Sequence, residues 1–98
     1  MGTKNLSFKA KLTVLVTKQG KRFVAYTPAL DVATSGKSEK DARKKFEELI
    51  NLFLEEIVEE GTVNEVLSEL GWKKVQRKWT PPRVVSRESM DFRIPAMV

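Results

Sequence analysis

Between residues 42 and 58, apolar side chains recur at Ala42, Phe46, Leu49, Ile50, Phe53, Leu54, Ile57 and Val58. Steps of three, four and one trace a single stripe along an α-helix of about five to six turns. The other positions of the stretch are mostly charged, so the helix has one face for water and one that must be covered. A covering surface is written earlier in the chain. Leu6, Phe8, Ala10, Leu12, Val14 and Val16 alternate with Ser7, Lys9, Lys11 and Thr13. That period of two predicts a half-buried antiparallel strand over residues 6–16. A long helix lying on one face of an antiparallel sheet is therefore the frame into which the remaining segments must fit.

Punctuation between the periodic runs supplies those segments. Lys18-Gln19-Gly20-Lys21 reads as a hairpin turn, and the β-branched and aromatic run Arg22-Phe23-Val24-Ala25-Tyr26 as the second strand. Pro28 cannot donate to a ladder, so that strand ends or bulges there. Residues 32–36 form a short third strand. Ser38 is placed as a helix N-cap, with Glu39 and Asp41 in the first turn, and Gly61 as the residue just past the helix end. Thr62 and Glu65 repeat a capping pattern ahead of Val63, Val66, Leu67 and Leu70, a short second helix stopped by Gly71. Residues 72–79 alternate as a further strand, Pro81-Pro82 breaks it, and residues 90–94 form a last one with Pro95 at its edge. The expected order is β-β-β-α-α-β-β, an α+β two-layer sandwich with an antiparallel sheet. Residues 1–80 make its domain, and residues 81–98 a C-terminal tail.

Composition narrows the chemistry. With 98 residues there is room for one domain, and 41% apolar with 32% charged side chains is a globular balance. The chain has no cysteine and no histidine, which removes disulfides, thiolate metal sites and the commonest general acid–base. No apolar run is long enough to span a bilayer, and the start MGTKNLSFKAK lacks a signal-peptide core, so the expected location is the cytoplasm. The net charge of +5 conceals three blocks. Residues 1–37 carry seven basic side chains and one acidic, residues 38–71 four basic and ten acidic, and residues 72–98 seven basic and two acidic. A protein that coats nucleic acid is more often basic throughout.

The stretch from Gly20 to Phe46 holds a more specific pattern. It runs Gly20-Lys21-Arg22-Phe23-Val24-Ala25-Tyr26-Thr27-Pro28-Ala29-Leu30-Asp31-Val32, then Ser35-Gly36-Lys37-Ser38-Glu39-Lys40-Asp41-Ala42, then Phe46. This resembles the HicB-like antitoxins, with their turn glycine, aromatic-rich strand, Pro-x-Leu-x tetrad and Gly-x-Ser/Thr-x-x-x-Ala helix start. Gly61-Thr62 and Leu70-Gly71-Trp72 are similar to the single-domain members, and the likeness covers roughly residues 6–79. The resemblance implies a β-β-β-α-β fold, sometimes compared to a trimmed RNase H core. It also implies a function without cofactor or catalysis: binding and silencing a small HicA-like toxin that cleaves mRNA. Many members add a C-terminal domain that binds operator DNA. The 19 residues after Trp79 hold no helical stripe, so a complete helix-turn-helix is not expected here.

Candidate contact residues follow. Tyr26, Pro28, Leu30 and Asp31 mark a surface around the end of the second strand. Glu55, Glu56 and Glu59 lie in the acidic run of the long helix, with Glu47, Glu48 and Glu60, where they complement a basic RNA-cleaving toxin. No catalytic or metal-binding residue is assigned, since Asp31 is nearly alone among carboxylates before the helix and two-metal chemistry needs several on one site. Lys9 and Lys11, and the cluster Lys73, Lys74, Arg77 and Lys78 with Trp72 and Trp79, support the alternative of a small RNA- or DNA-binding regulator. Met90, Phe92 and Ile94 need cover and point to a homodimer or larger oligomer with the tail at its interface.

Overall fold

The computed structural model describes residues 9–96. Its elements are β1 (Leu15–Gln19), β2 (Arg22–Thr27), β3 (Val32–Gly36), α1 (Glu39–Glu59), α2 (Val63–Glu69), β4 (Lys73–Val75) and β5 (Lys78–Thr80). The first three strands form an antiparallel sheet in the order β1-β2-β3, and β4 and β5 pair as a separate two-stranded ribbon. With α1 packed on the sheet, the class is α+β, as the two periodicities predict.

Register sorts the sheet's side chains. Gln19 pairs with Arg22 across the two-residue turn Gly20-Lys21, and Leu15 pairs with Tyr26 at the far end. Gly20 has φ +63, which a side chain would resist. Val16, Phe23 and Val32 turn toward α1 and join Ala25, Leu30, Ala42, Phe46, Ile50, Ile57, Leu67 and Trp72 in one core. Thr27 shares that face, and its buried Oγ1 has no hydrogen-bond partner. The helix passes very close to the sheet at Gly36. An added Cβ there would sit 2.5 Å from the backbone nitrogen of Ala42.

Helix ends follow their local chemistry. Ser38 Oγ accepts from the Asp41 amide at 3.0 Å, and Asp41 Oδ2 accepts from the Lys37 amide at 2.9 Å. The α1 C-terminus closes as a Schellman motif: Thr62 N donates to Ile57 O and Gly61 N to Val58 O, with Gly61 at φ +69. The end of α2 repeats it, through Trp72 N to Leu67 O and Gly71 N to Ser68 O. The second expected cap is not formed. Thr62 makes no capping bond, and its hydroxyl points back to Ile57 O at 3.5 Å.

The Asp41 contacts have a pH consequence. The hydrogen bond from the Lys37 amide, helped by Lys45, holds its carboxyl below the ordinary value against burial, which is the second-largest influence and acts upward. A lowered carboxyl contributes stability above the ordinary carboxylate range, and that contribution fades as pH falls through the lowered value. Asp41→Asn is therefore expected to be less stable than the wild type at pH 7 and to converge with it in acid. Urea midpoints measured from pH 7 to pH 2 test this; a pH-independent gap would contradict it.

Four expectations change. The first strand is Leu15–Gln19, not residues 6–16; Leu6 and Phe8 lie outside the described residues. The register explains the shift: beyond Leu15 the ladder would meet Pro28, which has no N–H to give. Residues 72–79 are not one strand but the β4–β5 hairpin, turned at Gln76 (φ +51) and Arg77 (φ +68). Residues 90–94 form no strand, because no neighbouring strand offers them a ladder. Val58 is 66% exposed and stands outside the core stripe.

Candidate functional site

Three features at the surface are set by this framework. The first is the face of the sheet that α1 leaves uncovered. Registered rows cross it: Leu15–Tyr26–Ala33, then Thr17–Val24–Ser35, then Gln19–Arg22. Leu15 and Ala33 are exposed, and Val24 and Tyr26 half-buried. The row nearest the β2–β3 loop is thus mostly apolar, and the farther rows are polar around Val24, with Arg22 Nη2 donating to Ser35 Oγ at 3.0 Å.

The loop itself, residues 28–31, closes on the first row. Asp31 N donates to Thr27 O at 2.9 Å, and Asp31 adopts φ +54. That backbone turns its carboxylate to accept from Tyr26 Oη at 3.0 Å. The hydrogen bond to Asp31 comes first among the causes that raise the Tyr26 hydroxyl above its ordinary value, ahead of burial and the Asp31 charge. From beneath, Trp72 Nε1 donates to Ala29 O at 2.7 Å. Pro28 and Asp31 are exposed, whereas Leu30 is 3% exposed and belongs to the core. Tyr26, Pro28 and Asp31 therefore share one surface, and Leu30 anchors it from inside.

The second feature is the C-terminal half of α1. Lys37-Ser38 is a two-residue connection, so α1 must fold back over β3. A helix of 21 residues extends about 31 Å and a strand of five only about 17 Å. The helix overhangs the sheet at the end where residues 28–31 lie. Glu55, Glu56, Glu59 and Glu60 are exposed on this overhang. Among the described residues, the ion pairs of α1 are at its start, Arg43–Glu39 and Lys45–Asp41. The last turn has no basic side chain. Like charges four residues apart (Glu55 with Glu59, Glu56 with Glu60) repel, and the helix dipole disfavours anions at this end. Local stability gains nothing from that arrangement.

The third feature is the β4–β5 ribbon. Lys73, Lys74, Arg77 and Lys78 are all exposed, and the Lys74 ammonium lies 5.8 Å from the centre of the Trp79 ring. Two adjacent non-glycine residues with positive φ hold Arg77 at its tip.

Sequence reasoning placed Tyr26, Pro28, Asp31 and the glutamates, but missed Leu15, Val24 and Ala33. Leu15 alone carried a signal, as the odd member of an even-numbered apolar alternation. Among the described residues no three acidic side chains gather where they could hold a metal ion, and no helix is long and apolar enough to cross a membrane. Compared with protein-family models, curated proteins and solved structures, the chain finds no match.

Proposed function

We propose that this protein is a non-enzymatic, HicB-like antitoxin, working in the cytoplasm to silence a small HicA-like toxin that cleaves mRNA. The observation that carries the reading is the acidic overhang of α1, four exposed glutamates that make no ion pair among the described residues. A surface that is unfavourable to its own helix is accounted for by a basic partner. An RNA-cleaving toxin has to be basic where it holds phosphates. The apolar row Leu15–Tyr26–Ala33, with Asp31 held at its border, adds uncharged contact area of the kind found at the centre of protein interfaces. The residue pattern from Gly20 to Phe46 and the β-β-β-α order support the same reading.

Co-expression with any small open reading frame that adjoins its gene and encodes a basic protein, with one partner tagged, tests the proposal. Both are expected to elute together. Replacing Glu55, Glu56, Glu59 and Glu60 by Gln is expected to weaken the complex about tenfold at low salt and much less at high salt. The same variant should melt no lower than the wild type, because repulsion within the helix is relieved. Unchanged affinity at low salt would remove the glutamates from the interface.

A second reading, a small RNA- or DNA-binding regulator, draws on the β4–β5 ribbon with its four exposed cations and Trp79. It requires affinity for nucleic acid that falls steeply with salt and with Lys73 and Lys74 replaced by Gln. A filter-binding assay without such affinity rejects it.

A further inference from the structure

We propose that residues 84–94 dock on a second copy of this chain, exchanged reciprocally between the two subunits of a dimer. The tail is built to be covered. Val85, Met90, Phe92 and Ile94 are between 67% and 85% exposed. Met90, Phe92 and Ile94 alternate with Asp91 and Arg93, so an extended backbone puts the three apolar side chains on one face. Residues 81–96 form no helix or strand. The tail also leaves its own domain: the described chain measures 66 × 29 × 21 Å, with a radius of gyration of 17.0 Å. A compact chain of this length has a radius near 12.5 Å by the usual scaling, so part of the chain reaches beyond the compact body.

An acceptor lies next to the point of departure. A groove of about 420 Å³ opens between residues 10–14 and α1, lined by Leu12, Val14, Phe46 and Ile50 together with Arg43 and Glu47. Residues 80–84 pass along a second groove that also includes Leu12, together with Lys11, Thr13, Pro28 and Ala29. Donor and acceptor therefore meet at one short stretch of chain. A two-fold axis close to that stretch lets each tail enter the other subunit's groove, as an isologous contact requires. The exchange covers Val85, Met90, Phe92 and Ile94 of both tails at once, supplying the apolar centre that a stable interface needs.

The absence of native cysteine makes the test direct. Light scattering of the full chain at 50 μM is expected to give twice the 11.2 kDa chain mass. Phe92→Glu with Ile94→Glu should give the monomer with unchanged far-ultraviolet circular dichroism. For placement, Asn51→Cys and Arg93→Cys are made in separate chains of different tag length, mixed, and oxidised mildly. A covalent heterodimer that Phe92→Glu abolishes supports the exchange. A monomeric full chain, a dimer indifferent to the tail substitutions, or a cross-link that forms only within one chain carrying both cysteines overturns it. So would a tail that binds only the basic partner protein.

Discussion

Replacing Trp72 by alanine is expected to cost about 3–5 kcal/mol, the range for large aromatic truncations in a core. Trp72 is 6% exposed and sits where three parts of the chain converge. Its backbone amide closes α2 on Leu67, its ring joins the core with Leu67 and Ile57, and its indole N–H satisfies Ala29 O, 43 residues earlier. A domain of this size has roughly 5–15 kcal/mol in total, so the alanine variant falls near or below the folding threshold. Trp72→Phe separates the two contributions. It keeps most of the apolar bulk but orphans the Ala29 carbonyl, for an expected loss of about 1–2 kcal/mol. Because that carbonyl is in the residue 28–31 loop, Trp72→Phe should also speed amide exchange at Asp31 before the rest of the sheet. Urea unfolding and hydrogen exchange check both outcomes. A loss under 1 kcal/mol for Trp72→Ala would show that the second half of the chain does not brace the first.

Gly36→Ala is expected to destabilise by about 2–3 kcal/mol, lowering Tm by roughly 10–20 °C. The direction is informative. In a strand, alanine ordinarily gains over glycine because it restricts the unfolded chain. Here the added Cβ would lie 2.5 Å from Ala42 N, 2.8 Å from Ala42 Cα and 2.8 Å from Asp41 Oδ2. Two of these atoms are helix backbone and cannot rotate aside, so α1 must lift from β3 and its capping bonds stretch. Because the clash is with backbone, Ala42→Gly should not rescue the variant. Thermal melts of the single and double variants decide it, and a rescued double variant would place the conflict at the Ala42 side chain instead.

Gly36 also shows where sequence reading stops. It closes the third strand with an ordinary strand backbone, and its role is the close passage of a helix that begins three residues later. No local pattern reports a contact of that kind. Gly61 and Gly71, by contrast, were legible, because a glycine after an apolar stripe has one common use, and both close Schellman motifs. Ser38 was legible for the same local reason. The hairpin at Gln76-Arg77 was not, since neither residue favours the positive φ that the turn imposes. The alternation through residues 6–16 signalled a strand but not its limits; those depend on Pro28 in the facing chain.

The candidate surface divides in the same way. The α1 glutamates follow from helical period alone. Tyr26 and Asp31 are close in sequence, but their hydrogen bond needs the positive φ of Asp31. Leu30 looked like a neighbour of equal standing, and the loop turns it into the core. Leu15, Val24 and Ala33 become one surface only through the register of three strands.

The most direct test of the antitoxin reading is an RNA-cleavage assay with a small basic HicA-like toxin that co-purifies with this chain, titrated with this chain. The account predicts cleavage of a defined mRNA that declines linearly and stops near one antitoxin chain per toxin, with the four-glutamate variant requiring a large excess at low salt. Cleavage that continues undiminished at a tenfold excess of the wild-type chain would contradict it.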